Sequence, residues 1–478
     1  MKHRMLRCLC LFLASLFLAF SLSACALPDG DTSSESGSEE SFSSESVPQG
    51  GADSESESDS SPAEGAFSSN PTALFSGNKE GEIPSLHFHV DGLGTMLSSR
   101  VFHAASVTAQ NTLGGKGDFA GRTAEIRCRG NATFKMMPKK SFRLRFNASV
   151  NLFGQDTGAA RNWALLAEYC DRSMMRNRVA MTMADVLGIN HSSSSYVQVY
   201  FNNEYYGLFH VLEHSQIQTH RVNIEAVPSA VVTEYLVELD HYAYEDGVEG
   251  VDYFTLSGKR YAIKNESVNY SQCTYVKEAF STVENAILRG DEEDIRSVVD
   301  VDSFVDMYLL QLVTKNTDVG FSSFYYVLDT DGRVACTWPW DFDIAMGNDG
   351  RLDNGAFTGF YPGKNYWLDQ QNHWFDTLMQ KEWFVEEVRN RFAAIGEEMV
   401  IAAIEEIDAL TGAYGDEFER NFERWPCFGQ KLNVEPDEVR LLPDFNSHVE
   451  YLKEWLAGRY EYLDGYFTDP DTAYSTVK

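Results

Sequence analysis

The chain has 478 residues, room for two or three domain-sized cores. Its formal charge of −32 argues against a nucleic-acid partner, because polyphosphate backbones are held by basic surfaces. The same acidic excess favours solubility and attracts divalent cations or basic partners.

The N-terminus reads as a targeting segment. Lys2, His3, Arg4 and Arg7 form a positive region, and residues 8–20 are apolar. Leu22-Ser23-Ala24-Cys25 then ends in a cysteine after small residues, the pattern of a bacterial lipoprotein signal over residues 1–24 with Cys25 as the lipid attachment point. A diacylglyceryl chain together with amide acylation anchors a protein stably. The expected location is therefore extracytoplasmic, on the cell membrane. An ordinary secretory signal, or one membrane span over residues 8–26, are the alternatives.

Residues 25–70 are mostly Ser, Glu, Asp, Gly and Pro, and residues 8–78 contain no Lys or Arg. A segment so poor in apolar side chains cannot offset its ordering entropy, so a disordered, self-repelling tether is expected. Of eight cysteines, Cys8, Cys10 and Cys25 belong to the signal. Cys128, Cys170, Cys273, Cys336 and Cys427 remain, in no zinc-like or disulfide-scaffold spacing, and buried free thiols are the expectation for most of them.

From residue 85 the chain turns to strands. Leu86-His87-Phe88-His89-Val90, Ala124-Glu125-Ile126-Arg127-Cys128-Arg129 and Ser141-Phe142-Arg143-Leu144-Arg145-Phe146 alternate apolar with polar side chains. Residues 161–187 read as helical from the recurrence of Trp163, Leu165, Leu166, Met174, Met175, Val179, Met183 and Val186. Strands return over 196–213, with a tight turn at Asn202-Asn203-Glu204, and over 233–264. Residues 274–287, 302–313, 383–410 and 448–467 have amphipathic helical spacing. Strands first and helices later predict an α+β protein of two lobes, strand-rich over 80–240 and mainly helical over 241–468.

The densest chemistry lies in Thr337-Trp338-Pro339-Trp340-Asp341-Phe342-Asp343. Before it, Ser323-Phe324-Tyr325-Tyr326-Val327-Leu328 and Arg333-Val334-Ala335-Cys336 flank Asp329-Thr330-Asp331-Gly332, a β-hairpin pattern. A hairpin folds its ends together, so Asp318 of Asn316-Thr317-Asp318 and Asp341 can face one cleft. Protein kinases bracket a hairpin in this way with a catalytic base and a metal-binding Asp. A solvent-exposed turn bracketed by Asp341 and Asp343 is the plainer alternative.

Other motifs admit two readings each. Strand parity puts Lys139, Ser141, Arg143 and Arg145 on one face and Lys140 beside the apolar row. Basic groups near the turn at Gly130 suit a triphosphate, or else form a solvated face. Asp171 is a possible N-cap, and Arg176 and Asn177 either orient an anion or, preferably, tie their helix to the sheet. Gly207 suits a close backbone approach. Tyr261-Ala262-Ile263-Lys264 superficially matches a kinase lysine string but comes too late in the chain. Trp340 offers a stacking face, a contact that contributes on the order of 1–3 kcal/mol per base. Trp338 and Trp340 are otherwise core residues.

Taken in order, Arg129-Gly130-Asn131, Pro138-Lys139-Lys140-Ser141-Phe142-Arg143-Leu144, Trp163-Ala164-Leu165-Leu166-Ala167, Asp171 with Ser173-Met174-Met175-Arg176-Asn177, Asn202-Asn203-Glu204-Tyr205-Tyr206-Gly207-Leu208, Asn316 with Asp318, and Trp340-Asp341-Phe342-Asp343 resemble the spore coat protein H (CotH) kinase family over roughly residues 85–467. The resemblance implies a two-lobed atypical protein-kinase-like fold that binds ATP with Mg²⁺ or Mn²⁺ and phosphorylates Ser of a secreted or surface protein. It implies Asp318, with Asn316, as the catalytic pair. Asp341, Asp343 and Ser323 would hold the metal; Lys139, Lys140, Arg143, Arg145 and Trp340 would hold the nucleotide. Ser323 departs from the family, many of whose members have Asn there, and a hydroxyl is a weaker metal ligand than an amide oxygen. A non-catalytic, kinase-like surface adhesin or scaffold is the alternative function.

Overall fold

The computed structural model describes residues 83–92, 98–112, 115–152, 158–351, 355–359 and 372–468. The signal segment, Cys25 and the acidic tether lie outside these described residues.

Seven strands close a barrel: β1 (Ser85–His89), β2 (His103–Gln110), β3 (Phe119–Arg129), β4 (Ser141–Val150), β5 (Ala160–Leu166), β6 (Ser194–Phe201) and β7 (Glu204–Glu213), in the order β1-β2-β3-β4-β5-β7-β6. All pairings are antiparallel except the closing one, β1 with β6, which aligns Leu86 with Val199 and Phe88 with Phe201. Alternation drives the closure. Phe142, Leu144 and Phe146 of β4 are buried while Ser141, Arg143 and Arg145 face away. Phe142 reaches Phe201 and Phe209, with ring centroids 5.2 Å and 5.8 Å away. The β6–β7 turn forms where expected, with Asn202 (φ +49°) and Asn203 (φ +72°) in the left-handed region that two-residue hairpin turns require.

The expected helix over 161–187 is only half right. Its first part is the strand β5, paired with β4 and β7, and the helix spans Arg176–Leu187. Trp163 and Leu165 alternate as readily as they fit a helical period, and the vacancy between β4 and β7 decides for the strand.

A second, five-stranded sheet has the order β12-β11-β8-β10-β9, from β8 (Tyr235–Leu239), β9 (Tyr253–Leu256), β10 (Lys259–Ile263), β11 (Phe324–Leu328) and β12 (Val334–Thr337). β11 and β12 form the hairpin expected around Asp329-Thr330-Asp331-Gly332. β8, in the range expected for the N-terminal lobe, pairs instead with β10 and β11. The helices Tyr270–Arg289, Glu292–Val298, Val301–Thr314, His373–Leu378, Glu382–Arg424 and Phe445–Thr468 complete a mixed α+β architecture with a helical C-terminal region.

The Glu382–Arg424 helix joins the two parts, packing on the Arg176–Leu187, Val301–Thr314 and Phe445–Thr468 helices and on β7. Gly207 permits that last approach: a Cβ there would stand 2.9 Å from Asn421 Oδ1 and 3.0 Å from Lys139 Cε. A separate buried cluster of Ala164, Met181, Leu212, Val222, Leu236, Tyr325, Trp338 and Trp340 seals the seam between barrel and second sheet. Cys128, Cys170, Cys273, Cys336 and Cys427 are buried, and among the described residues Cys170, Cys273, Cys336 and Cys427 form no disulfide. Among the described residues no helix is long and apolar enough to cross a membrane.

Candidate active site

The Val301–Thr314 helix ends on Lys315 in left-handed conformation, so the chain turns sharply into Asn316-Thr317-Asp318. Lys315 holds the turn by donating to the carbonyls of Ala356 (2.8 Å) and Thr358 (2.9 Å). Asn316 then links both acidic loops. Its Oδ1 accepts from the Asp318 amide at 3.1 Å, and its Nδ2 lies 3.5 Å from the Asp341 carbonyl, at the edge of hydrogen-bonding reach. Ser323 Oγ stands 3.5 Å from Asp341 Oδ2. The hairpin thus brings the Asp318 and Asp341 loops side by side.

The loop after β12 is strained. Trp338 (φ +47°), Asp341 (φ +69°) and Met346 (φ +47°) are left-handed without being glycine, and Ser323 (φ +62°) joins them. Each such residue costs on the order of 1–3 kcal/mol and persists only where its surroundings over-determine it. Here the start of the Arg176–Leu187 helix does so. Asn177 Oδ1 accepts from the Phe342 amide at 2.7 Å, and Arg176 Nε donates to the carbonyls of Ala345 (3.0 Å) and Met346 (3.3 Å). Asn348 Nδ2 adds bonds to the carbonyls of Asp343 (2.7 Å) and Cys170 (3.0 Å).

Asp171 organises that brace. Its carboxylate bonds Arg176 Nη1 directly and accepts from the amides of Ser173 (2.9 Å), Met175 (3.0 Å) and Arg176 (2.9 Å). Capping of the first turn therefore comes from well upstream; the residue at the N-cap is Met175, without a side-chain bond. The expected tie from Arg176 and Asn177 to the sheet is a tie to the acidic loop instead.

Glu168 lies behind the loop, fully buried. Asn177 Nδ2 donates to both its oxygens (3.2 Å and 3.0 Å), and His210 Nδ1 lies 2.9 Å from Oε1. Burial, reinforced by Asp171, pushes Glu168 up to about 8, while burial pushes His210 down to about 3. With its amide nitrogen committed to Glu168, Asn177 has its oxygen left for Phe342.

Carboxylates crowd the front. Burial holds Asp343 well above the ordinary Asp range, with Asp341, Glu168, Asp171 and Asp318 adding repulsion. Asp341 is raised by burial too, against the pull of Arg129 and the Ser323 hydroxyl. The Asp341 residue is nonetheless exposed, so it is not sealed inside the core. Among the described residues no three His, Cys, Asp or Glu side chains converge as a metal-holding group. Two carboxylates beside a hydroxyl do fit Mg²⁺ or Mn²⁺, hard cations that take one or two carboxylates and complete their shell with phosphate oxygens and water.

The expected phosphate-binding cations separate. Lys139 and Lys140 precede β4, so strand parity does not govern them. Lys139 is buried and donates to the carbonyls of Ala167 (2.8 Å) and Leu208. Lys140 donates to the carbonyls of Phe134 (2.7 Å) and Met137, closing the one-turn helix Ala132–Met136. Both are engaged in backbone support. Arg145 pairs with Glu125 at 2.6 Å and lies over Phe102. Arg143 stands among Arg127, Arg129 and Arg145, and its buried Nε has no hydrogen-bond partner among the described residues. Burial followed by those like charges lowers it to about 10. Arg129, absent from the expected site, lies 5.4 Å over the Trp340 ring. Trp338 is wholly buried and Trp340 is 7% exposed, so Trp338 is core and Trp340 presents little face beyond the one Arg129 covers.

Asn177 braces the acidic loop in place of the sheet, and neither Glu168 nor Arg129 is among the expected site residues. The signal for Asn177 was present in its place directly after Arg176; what it touches depends on folding. The family model described as CotH kinase protein matches residues 126–463. No curated protein matches the chain. Among solved structures, the chain is similar to one in the complex of the toxin–antitoxin system HipA, HipB and operator DNA of Shewanella oneidensis MR-1. The identity is 14% and the TM-score 0.26, over 64% of this chain and 60% of that one. The match spans less than two thirds of that chain's length, and it bears on neither activity nor partner.

Proposed function

Because the chain belongs to the CotH kinase family, matched over well more than half its length, we propose that it is an atypical protein kinase transferring the γ-phosphate of ATP to Ser of a surface or secreted protein. The observation that carries this reading is the Asn316 link between the Asp318 and Asp341 loops. Asp318 would orient the acceptor hydroxyl and take its proton, as a base within reach of the reacting oxygen must. Asp341, with Asp343 and Ser323 beside it, would hold Mg²⁺ or Mn²⁺, which when bound neutralises phosphate charge. Arg143 and Arg129 would meet the phosphates, in place of Lys139 and Lys140. Trp340 would stack on the base only after Arg129 moves off its ring.

Calorimetric titration of ATP, with and without Mg²⁺ or Mn²⁺, followed by autophosphorylation, tests this. Metal-dependent binding and phosphate incorporation are expected. Absence of nucleotide binding would favour the adhesin or scaffold, the reading to which Ser323 lends support as a weak metal ligand. Ser323→Asn bears on the same point. Asn tolerates a positive φ better than Ser, so the substitution adds an amide oxygen without backbone cost. Nucleotide affinity in Mg²⁺ should hold or rise; a several-fold fall would remove position 323 from the metal site.

We also propose a lipid anchor at Cys25, on the strength of Leu22-Ser23-Ala24-Cys25. Cys25→Ala should release the protein from the membrane fraction or leave the signal uncleaved. Normal processing with full membrane retention would refute the anchor.

A further inference from the structure

Lys264 follows β10 directly, and its Nζ donates to Glu238 Oε2 of β8 at 2.7 Å. The other oxygen of Glu238 accepts from the Tyr325 hydroxyl at 2.8 Å, and that hydroxyl accepts from Ser215 Oγ at 3.1 Å. Glu238 is thereby held from the side of β11, with its side chain 11% exposed against 29% for Lys264. The lysine, on a flexible four-carbon stem, is the half of the pair able to move.

Its surroundings are those of an anion site. Burial, and then the charges of Arg143, Arg129 and Lys264, hold His214 well below its ordinary range, and Arg129 itself lies 5.4 Å over the Trp340 ring. His214 in turn lies 6.1 Å from the Trp340 ring. Glu238 is near enough to Asp341 to raise it. Lys264 also feels Asp240, which accepts from Ser322 Oγ at 3.0 Å, and Ser322 bonds back to the Asp318 carbonyl at 3.2 Å. The pair is thus linked toward Asp318 through Asp240 and Ser322, and toward Trp340 through Tyr325, Ser215 and the neighbouring His214.

We propose that Lys264 is a phosphate-contacting residue that exchanges Glu238 for the terminal phosphate of a bound nucleoside triphosphate. This rests on the kinase reading and adds a residue to it. An ammonium brought from carboxylate to phosphate keeps a charge-assisted bond, and the Tyr325 hydroxyl continues to donate to Glu238 after the lysine leaves. It also makes the site read the third phosphate.

The test is calorimetry of ATP and of ADP, both with Mg²⁺, on the full parent chain, Lys264→Met and Glu238→Gln. The parent should prefer ATP. Lys264→Met should lower ATP affinity about ten- to a hundred-fold, the range for losing a bond to a charged group, and ADP affinity much less. Glu238→Gln keeps the Tyr325 bond and frees the lysine, so ATP affinity should hold or rise. A merely structural ion pair predicts the contrary: both variants would weaken both nucleotides alike. That result, an unchanged ATP-to-ADP ratio in Lys264→Met, or a parent that does not distinguish the two, overturns the proposal while leaving the kinase reading intact. A parent that binds neither nucleotide overturns both.

Discussion

Asp318→Ala is expected to abolish phosphate transfer while leaving metal-dependent ATP binding nearly unchanged, and Asp341→Ala to weaken the binding itself. The two carboxylates sit on adjacent loops joined by Asn316, yet their settings differ. Asp341 is in the strained loop beside Ser323 and under the influence of Arg129, whereas Asp318 belongs to the turn that leaves the Val301–Thr314 helix. A base that takes the hydroxyl proton contributes about 10²–10⁴-fold to rate, and its loss leaves the ground-state contacts in place. Removal of Asp341 would instead take away one of the two carboxylates proposed to hold the cation. Calorimetry and phosphate incorporation on the same two variants separate these outcomes. Equal ATP affinity in Asp341→Ala and the parent would move the metal elsewhere. Undiminished transfer in Asp318→Ala would remove that residue from the chemistry.

The largest loss of stability should come from Asp171→Ala. Asp171 and Arg176 are both fully buried, and the carboxylate satisfies three backbone amides as well as the guanidinium. Truncating one partner of a buried pair leaves an uncompensated charge, which costs about 3–5 kcal/mol. Denaturant unfolding should register that loss. The effect should also reach the site, because Arg176 holds the Ala345 and Met346 carbonyls and shares its helix start with Asn177. A loss below about 1 kcal/mol would mean that the pair is replaced by water and that the brace is not what keeps Met346 left-handed.

Local pattern was a good guide where one stretch of chain completes its own structure. The Asp329-Thr330-Asp331-Gly332 turn and its two apolar arms needed nothing distant to form β11 and β12, and neither did the Asn202-Asn203 turn between β6 and β7. The amphipathic helices were legible for the same reason, although the Glu382–Arg424 helix runs well past the expected 410. Trp163 and Leu165 were not legible, since their spacing serves strand and helix alike and only β4 and β7 on either side decide between them. Lys139 and Lys140 lie before the strand begins, so the alternation that sorts Ser141, Arg143 and Arg145 does not reach them.

The chemistry of the cleft divides along the same line. Local sequence shows which acidic residues border the hairpin, and hence that Asp318 and Asp341 can meet, because a hairpin's ends converge whatever surrounds them. Family membership is legible there too, through motifs from Arg129 to Asp343 within the matched residues 126–463. The tertiary structure alone decided that β1 closes on β6, that β8 belongs to the second sheet, and that Asn177 reaches the Phe342 amide. It alone decided that Lys264 meets Glu238 near Arg143 and that Lys139 turns inward. Each of these joins residues from separate strands, helices or loops. Such contacts follow from which surfaces must be buried together and which buried polar groups must find partners, and neither requirement exists until the chain has folded.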